Sequence, residues 1–280
     1  MITPELINLK DYELSGGGKL GESFIKRDNP DILLKIYSIE RRQMALDEYE
    51  RAWKVFKSGI SCPEPGELVT TDDGRLGILF KRIHDKKSYA RALSEHPELL
   101  DKYAAEFADF CKKLHSTRPE PGLFPSAKDQ HIKGIMDNPF LIPDEKEGLK
   151  RFIMNLPDAD TALHGDLHYG NVIFTPDGQK YLIDLSDFCT GTPLFDIGVM
   201  LVQTQLISEE MSVELYHINK TVSMQFWNAF VKEYFGPDAS PDQVKDMVLP
   251  YAFLRILVVE KVLGAPFTQI RPAIHKMINI

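Results

Sequence analysis

The sequence predicts an α+β fold in which a small β-rich part is followed by a larger, mostly helical part. Short apolar segments bounded by Gly, Pro, Asn and Asp fill residues 1–83, with one helix among them. From about residue 89 onward, apolar residues recur at the spacing of helices instead. With 43% hydrophobic and 26% charged residues, the 280-residue chain has the composition of a globular protein that buries a core.

The β-rich part is expected to contain about five strands and one helix, and to be antiparallel in character. Turn signals at Asp28–Asp31 and Asp72–Gly74 separate neighbouring strands. Apolar residues at helical spacing predict the helix over about Glu40–Lys57, and Gly59 ends it. The strands are predicted over residues 9–14, 23–26, 32–37, 67–70 and 76–83.

The clearest helix of the second part is Pro97–His115, which keeps one face apolar. Six prolines divide residues 116–160, so only short helices are expected there. A hairpin is predicted over Leu163–Asp184, with its turn at Thr175–Gly178. The other helices are predicted over about 128–136, 144–155, 195–207, 214–235 and 241–263.

Charge and composition exclude several classes of protein. The formal net charge is −8 without a strongly basic block, which disfavours nucleic acid as a partner. Cys62, Cys111 and Cys189 are odd in number and widely spaced, so neither a disulfide framework nor a zinc site is indicated. No apolar run approaches the length of a membrane span, and the first residues do not resemble a secretory signal. We expect a cytoplasmic protein without a membrane partner; the oligomeric state stays open.

The most informative segment is His164–Asn171, His-Gly-Asp-Leu-His-Tyr-Gly-Asn, followed after the predicted hairpin by Asp184. It places Asp166 five residues before Asn171, which is the spacing of the catalytic loop of kinases. In that chemistry one carboxylate orients the attacking hydroxyl and accepts its proton. An amide oxygen and a second carboxylate hold Mg²⁺ on the ATP phosphates. The pattern predicts Asp166 as the catalytic residue and Asn171 and Asp184 as the metal ligands.

Together with Phe195-Asp-Ile-Gly198, this segment resembles the aminoglycoside phosphotransferase and choline kinase family, the small-molecule branch of the protein-kinase-like fold. The resemblance extends from about Leu14 to Leu201. It implies a bilobal fold with a nucleotide-binding lobe over residues 1–83 and a catalytic and acceptor-binding lobe over residues 84–280. It implies an ATP- and Mg-dependent phosphotransferase that moves the γ-phosphate to a hydroxyl of a small molecule of the aminoglycoside, choline or metabolite type.

Lys35 lies inside the apolar strand segment Ile-Leu-Leu-Lys-Ile. Taken alone, such a lysine is expected to extend outward at a sheet edge. The resemblance implies instead that Lys35 binds the α- and β-phosphates of the nucleotide, held by a carboxylate from the helix. Glu48 and Glu50 are the candidates, and we choose Glu48 because apolar residues follow it four, seven and eight positions later on the same face.

Two further segments are expected to contact the nucleotide. Gly17, Gly18 and Gly21 lie in a glycine-rich turn between two predicted strands, where backbone N–H groups can approach phosphates. This turn is neither a Walker loop nor a dinucleotide fingerprint. The resemblance also implies a hinge at the end of the last strand, where the backbone of Lys81 and Ile83 would read adenine.

Other residues of the motif are expected to support it. His164 and Asp196 would brace the catalytic loop, whereas Asp187 could assist the metal, bind the acceptor or cap a turn. Only 11 residues separate Asp184 from Asp196, which favours a small acceptor over a protein. A cationic acceptor would need an acidic wall, and residues 144–148 only hint at one. The alternative function is a catalytically silent, nucleotide-binding pseudokinase or regulatory module.

Overall fold

The structure is a computed structural model that describes residues 4–18 and 21–279. The chain forms two compact units. The first comprises Met1–Lys87 and Asn171–Asp187, and the second comprises Ser88–Gly170 and Phe188–Ile280. The first unit is rich in strands and the second is mostly helical, so the predicted α+β class is confirmed.

The first unit is built on a six-stranded sheet with the strand order β1-β5-β6-β4-β3-β2. Neighbouring strands are antiparallel except for β1, which runs parallel to β5 and was not predicted. The strands are β1 (Glu5–Ile7), β2 (Tyr12–Gly18), β3 (Gly21–Lys26), β4 (Ile32–Ile36), β5 (Pro65–Thr71) and β6 (Leu76–Lys81).

One helix, α1 (Arg42–Lys57), packs against β5 and β6 of this sheet. It follows a 3₁₀ turn at Ile39–Arg41, so it begins two residues later than predicted. Its buried face carries small and apolar residues together with one carboxylate, Glu48. Strand β4 lies beside β6 in the centre of the sheet. Residues on the side of β4 that faces α1 therefore approach residues on the buried face of this helix.

The second unit contains nine described α-helices. The chain enters it at β7 (Lys87–Ser88), and a short antiparallel pair, β8 (Thr161–Leu163) and β11 (Cys189–Gly191), lies within it. The helices are α2 (Tyr89–Glu95), α3 (Leu100–Ser116), α4 (Ala127–Met136), α5 (Pro143–Met154), α6 (Leu194–Leu201), α7 (Glu209–Tyr216), α8 (Lys220–Phe235), α9 (Pro241–Leu263) and α10 (Arg271–Ile278).

Two helix pairs form the core of the second unit. Helix α3 packs along α8, where Phe107 meets Phe226 and Phe230 edge-on with ring centroids 5.8 Å apart. Helix α6 packs along α9, and a Cβ atom on Gly198 would lie 2.8 Å from the Cβ of Tyr251. Only a glycine allows the two backbones to come this close.

The hairpin β9 (Val172–Phe174) and β10 (Lys180–Leu182) belongs to the first unit, although it lies far along the chain. The backbone N–H of Leu182 donates to Ser61 O at 2.9 Å, and the 3₁₀ turn Leu185–Asp187 packs against α1. The sequence predicts a division into residues 1–83 and 84–280. The units of the structure differ from this division, because these contacts attach the hairpin to the strand-rich unit.

Helix boundaries differ from the prediction mainly after residue 200. The predicted helix 195–207 becomes π-helical at Val202–Leu206. The predicted helix 214–235 is two helices, because His217 ends α7 with a left-handed backbone at φ 57° and Asn219 caps α8 through Val222 N–H. Helices α2 and α10 were not predicted. No helix in the described parts of the chain has both the length and the apolar character needed to cross a membrane.

Candidate functional site

In the first unit, Lys35 on β4 forms an ion pair with Glu48 on α1. The Nζ atom lies 2.7 Å from Oε2 and 2.9 Å from Oε1 of Glu48. The two side chains are 16% and 4% exposed, so both charges are largely withdrawn from water. Glu50, the other candidate, points away on α1 and pairs with Lys54 at 2.6 Å. The carboxylate of α1 that pairs with Lys35 is therefore Glu48.

Tyr37 is a third member of this group that the sequence analysis missed. Its hydroxyl donates to Glu48, and its ring centroid lies 5.1 Å from Lys35 Nζ. Burial and then the Glu48 charge raise the pKa of Tyr37 well above its ordinary value, so the phenol stays neutral and donates. The available signal was the alternation of the strand, since residues two apart share one face.

Asp184 also pairs with Lys35 Nζ in the same unit. Its backbone has a φ of 61°, a left-handed conformation that non-glycine residues seldom adopt and that is concentrated at functional sites. Burial acts to lower the pKa of Lys35. The charges of Asp184 and Glu48 outweigh this effect and raise the pKa well above its ordinary value. Lys35 is therefore a permanent cation between two carboxylates.

Asn171 lies at the same end of the β9–β10 hairpin as Asp184. The N–H of Ile183 donates to Asn171 O at 3.0 Å, and Asp184 is the next residue. No cluster of three or more His, Cys, Asp or Glu residues suited to a metal occurs in the described ranges 4–18 and 21–279. Asn171 and Asp184 instead offer an amide oxygen and a carboxylate, hard donors that fit a Mg²⁺ ion whose other ligands are phosphates and water.

The glycine-rich segment forms the β2–β3 hairpin, in which Gly18 pairs with Gly21 and Gly17 pairs with Glu22. Lys19 and Leu20, at its tip, lie outside the described residues. A Cβ atom on Gly21 would clash with the carbonyl oxygen of Ile36, so this position requires glycine for packing within the sheet. At Gly17, among the described residues other than its chain neighbours, no atom lies within 4 Å of the corresponding point.

The predicted hinge lies at the end of β6. The N–H of Lys81 donates to the carbonyl oxygen of Glu64, the residue before β5, at 2.9 Å, so this N–H is already engaged. Its side chain is 69% exposed. Ile83 lies two residues beyond the end of β6 and is half-buried. The next backbone bond, from Arg82 N to Asp31 O at 2.7 Å, holds this segment beside β4.

In the second unit, a buried carboxylate holds the backbone of the loop that carries Asp166. Asp196 Oδ2 accepts the N–H of His164 and Oδ1 accepts the N–H of Gly165, both at 2.8 Å. Gly165 has a φ of 80°, which favours glycine at this turn. His115 Nε2 lies 3.1 Å from Asp196 Oδ2 and orients it from α3. Asp196 is fully buried.

The side chain of Asp166 contacts a cation that the sequence analysis did not assign to the site. Arg255 Nη2 on α9 lies 2.9 Å from Asp166 Oδ1, and His168 Nε2 lies 3.9 Å from Oδ2. Burial acts to raise the pKa of Asp166, but Arg255, His168 and His164 lower it to below its ordinary value. The only signal was a single arginine in the apolar stretch Leu254–Val259 of α9.

His164 and His168 both act on the loop backbone. His164 Nδ1 accepts the N–H of Asp166 at 3.2 Å, and His168 Nδ1 accepts the N–H of Gly170 at 3.0 Å. In this arrangement the Nε2 atom of a neutral His168 carries the ring proton. A Cβ atom on Gly170 would lie 2.8 Å from the His168 ring, so glycine is required beside it.

Tyr169 packs into the second unit from the same loop. It is fully buried, and its hydroxyl lies 2.9 Å from Ser223 Oγ. Its ring meets those of Tyr216 and Phe226 edge-on, with centroids 4.7 and 5.5 Å away. Its carbonyl accepts the N–H of Ala90 at 2.8 Å. An aromatic residue at this point therefore anchors the loop on α8 and α2.

The comparisons with known proteins agree with the resemblance predicted from the motifs. The model of a family described as APH, the phosphotransferase enzyme family, matches residues 16–218. Comparison with curated protein sequences gives no significant match. Many solved structures are similar to the chain, and the predicted resemblance to aminoglycoside phosphotransferases and choline kinases is confirmed.

Three of these structures represent both groups. A choline/ethanolamine kinase family protein from Mesorhizobium loti has a TM-score of 0.56 and 17% identity, and covers 96% of this chain and 85% of its own. An aminoglycoside-3'-phosphotransferase of type VIII has a TM-score of 0.58 and 18% identity, with 89% and 93% covered. The aminoglycoside phosphotransferase APH(3'')-Id from Streptomyces rimosus, in complex with ADP and streptomycin, has a TM-score of 0.54 and 16% identity, with 87% and 92% covered. At these identities the likeness shows the fold.

Proposed function

Since the chain belongs to the phosphotransferase enzyme family, we propose that it transfers the γ-phosphate of ATP to a hydroxyl of a small molecule, with Mg²⁺. One observation carries the proposal: the carboxyl group of Asp166 pairs with Arg255 and lies on a loop whose backbone is fixed by Asp196. Phosphoryl transfer needs such a group to align the acceptor, because its transition state demands positioning more than covalent chemistry.

The residues of the first unit fit the binding of the phosphate donor. Lys35, held by Glu48, is a fixed cation suited to the α- and β-phosphates of ATP. Asn171 and Asp184 would hold Mg²⁺, which would neutralise charge on the phosphates when bound. Gly17, Gly18 and Gly21 would cover the phosphates. The backbone of Lys81, apart from its engaged N–H, and the backbone of Ile83 would meet the adenine.

Asp166 acts on the acceptor. The acceptor oxygen forms a bond to the γ-phosphorus while the bond from that phosphorus to the β,γ-bridging oxygen breaks. ADP leaves, and the hydroxyl proton passes to the carboxylate of Asp166. A lowered pKa makes Asp166 a weak base but an ionised one, which suits a residue whose main task is to orient the hydroxyl.

The acceptor is a small molecule rather than a protein, and the surroundings of Asp166 favour one that is neutral or anionic. The carboxylate of Asp166 is already paired with Arg255, so little of its negative charge remains to attract a polycationic acceptor. In the acidic stretch 144–148, Glu145 is already engaged elsewhere: it caps α5 through Ile142 N–H and lies 2.6 Å from His275 Nε2. Similar solved structures include a choline kinase and a phosphotransferase in complex with streptomycin. Choline and streptomycin are both cationic, so a panel of test acceptors must contain them.

The test is ADP release from Mg·ATP with a panel of hydroxyl acceptors: streptomycin, choline, a neutral sugar, a hydroxy amino acid and a hydroxy acid. Wild-type protein is expected to release ADP with at least one acceptor. Asp166→Ala is expected to reduce that rate by about 10² to 10⁴-fold while the fold and ATP binding persist. Full turnover by this variant would remove Asp166 from the mechanism. Tight Mg·ATP binding without transfer to any acceptor would instead support the silent nucleotide-binding module.

A further inference from the structure

We propose that Arg255 is a positioning residue for phosphoryl transfer, because its guanidinium fixes the orientation of the Asp166 carboxylate before the acceptor arrives. The proposal rests on the function proposed above and adds a residue that acts through Asp166. Its basis is the bond between Arg255 Nη2 and Asp166 Oδ1, 2.9 Å long and formed within the second unit.

One helix pair holds both the backbone and the side chain of Asp166. Asp196 on α6 accepts two backbone N–H groups of the loop. Two residues later, Gly198 meets α9 so closely that a Cβ atom there would lie 2.8 Å from Tyr251 Cβ. Arg255 follows Tyr251 by about one helical turn. The close contact between α6 and α9 therefore fixes the backbone position of Arg255 relative to the backbone of the loop.

The burial of Arg255 is costly unless its charge has a use. Its side chain is only 14% exposed, and its sequence neighbours on α9 are Leu254 and Ile256. Removing a guanidinium from water costs several kcal/mol, and apolar residues of similar volume often stabilise a protein in place of a buried ion pair. A role in orienting Asp166 therefore explains the presence of a buried arginine at this position better than a contribution to the stability of the fold does.

The charged and titratable groups around Asp166 act in one direction. Arg255 on α9 and the loop residues His168 and His164 favour its ionised form, against the effect of burial on its pKa. Tyr216 on α7 also feels the Asp166 charge; burial chiefly raises the pKa of its hydroxyl, which stays neutral. Without Arg255, burial would favour the protonated carboxyl, which is a weaker acceptor for the substrate hydroxyl.

The geometry of the contact predicts how replacements will behave. A planar guanidinium offers a fixed fork of N–H donors, so it restrains the rotation of the carboxylate as well as its charge. Lysine would keep the charge but not the fork, and methionine would keep the volume without either. Misplacing a catalytic group by about 1 Å can cost about 10²-fold in rate.

The experiment compares Arg255→Met and Arg255→Lys with wild type, using Mg·ATP as donor and water as acceptor and following ADP release over the acid to neutral range. Arg271→Met is the matched control, because Arg271 is 12% exposed and pairs with the buried Glu260 at 2.8 Å.

Arg255→Met is expected to lower kcat by about 10 to 100-fold with the KM for ATP unchanged. The acid limb of its rate profile should move to higher pH, because the pKa of Asp166 rises when the guanidinium is lost. Arg255→Lys should recover part of the rate, and Arg271→Met should lose thermal stability without a change in the pH profile.

A second measurement does not depend on turnover. In protein labelled with ¹³C at the aspartate carboxyl carbons, the signal that Asp166→Asn removes identifies Asp166. Its titration midpoint should be higher in Arg255→Met than in wild type. An unchanged midpoint and unchanged kcat would overturn the proposal. Equal loss of activity and stability in the Met and Lys variants would also overturn it, since that pattern reports a structural role. Wild-type protein that binds Mg·ATP but releases no ADP with water or with any acceptor of the panel would refute the proposed function, and the titration would still decide the contact.

Discussion

Asparagine in place of Asp196 should loosen the loop that carries Asp166. Each carboxylate oxygen of Asp196 accepts one loop N–H at 2.8 Å, from His164 and from Gly165. An amide has one oxygen, so in either orientation its NH₂ group faces one of these N–H donors. The structure therefore predicts that one buried backbone donor is left without an acceptor.

The magnitude follows from that single loss. A buried group deprived of its partner costs about 1–3 kcal/mol, and the upper part of this range applies because the lost acceptor is charged. For a chain of this size, about 1 kcal/mol corresponds to a shift of about 2–4 °C in the midpoint of thermal unfolding. Asp196→Asn is thus expected to unfold about 4–12 °C below wild type.

Thermal unfolding followed by circular dichroism measures this shift. Asp160→Asn is the matched control: Asp160 also lies in the second unit, but it is exposed and pairs with the exposed Arg118 at 3.4 Å. That change should alter stability by less than about 1 kcal/mol. If Asp196→Asn unfolds at the wild-type temperature, the two backbone bonds do not hold the loop as described.

Two further substitutions test the packing within each unit. Tyr37→Phe removes the hydroxyl that donates to Glu48, a loss of about 1 kcal/mol, so kcat/KM for ATP should fall about five-fold in steady-state kinetics. An unchanged value would mean that Glu48 needs no third partner. Gly198→Ala places a methyl group 2.8 Å from Tyr251 Cβ, so α6 and α9 must separate; urea unfolding should show a loss of about 1–3 kcal/mol. Wild-type stability would show that the two helices can adjust without cost.

The fold class and most elements could be predicted because the relevant signals are local. Turn residues mark the strands of the first unit, and prolines mark the start of α5 and α9. Apolar spacing along α1 identifies Glu48 as the carboxylate on the buried face. The break between α7 and α8 could not be predicted in this way, because His217 adopts a left-handed backbone in a segment whose residues suit a continuous helix.

The site residues that were missed depend on contacts remote in sequence. Arg255 lies 89 positions after Asp166, and no periodicity connects an arginine on α9 with a loop aspartate. Tyr37 follows Lys35 by two positions in the sequence, but its link to Glu48 requires α1 to be placed over the sheet. The attachment of the β9–β10 hairpin to the strand-rich unit likewise depends on Ser61, more than a hundred residues away.

The backbone of residue 184 limits which replacements can be interpreted. At a φ of 61°, asparagine and glycine are tolerated far better than β-branched or bulky side chains. Asparagine also preserves the size of the side chain while removing its charge, so it isolates the electrostatic contribution. A valine or threonine at this position would strain the chain at the end of β10, and a loss of activity would then report distorted geometry as much as a missing carboxylate.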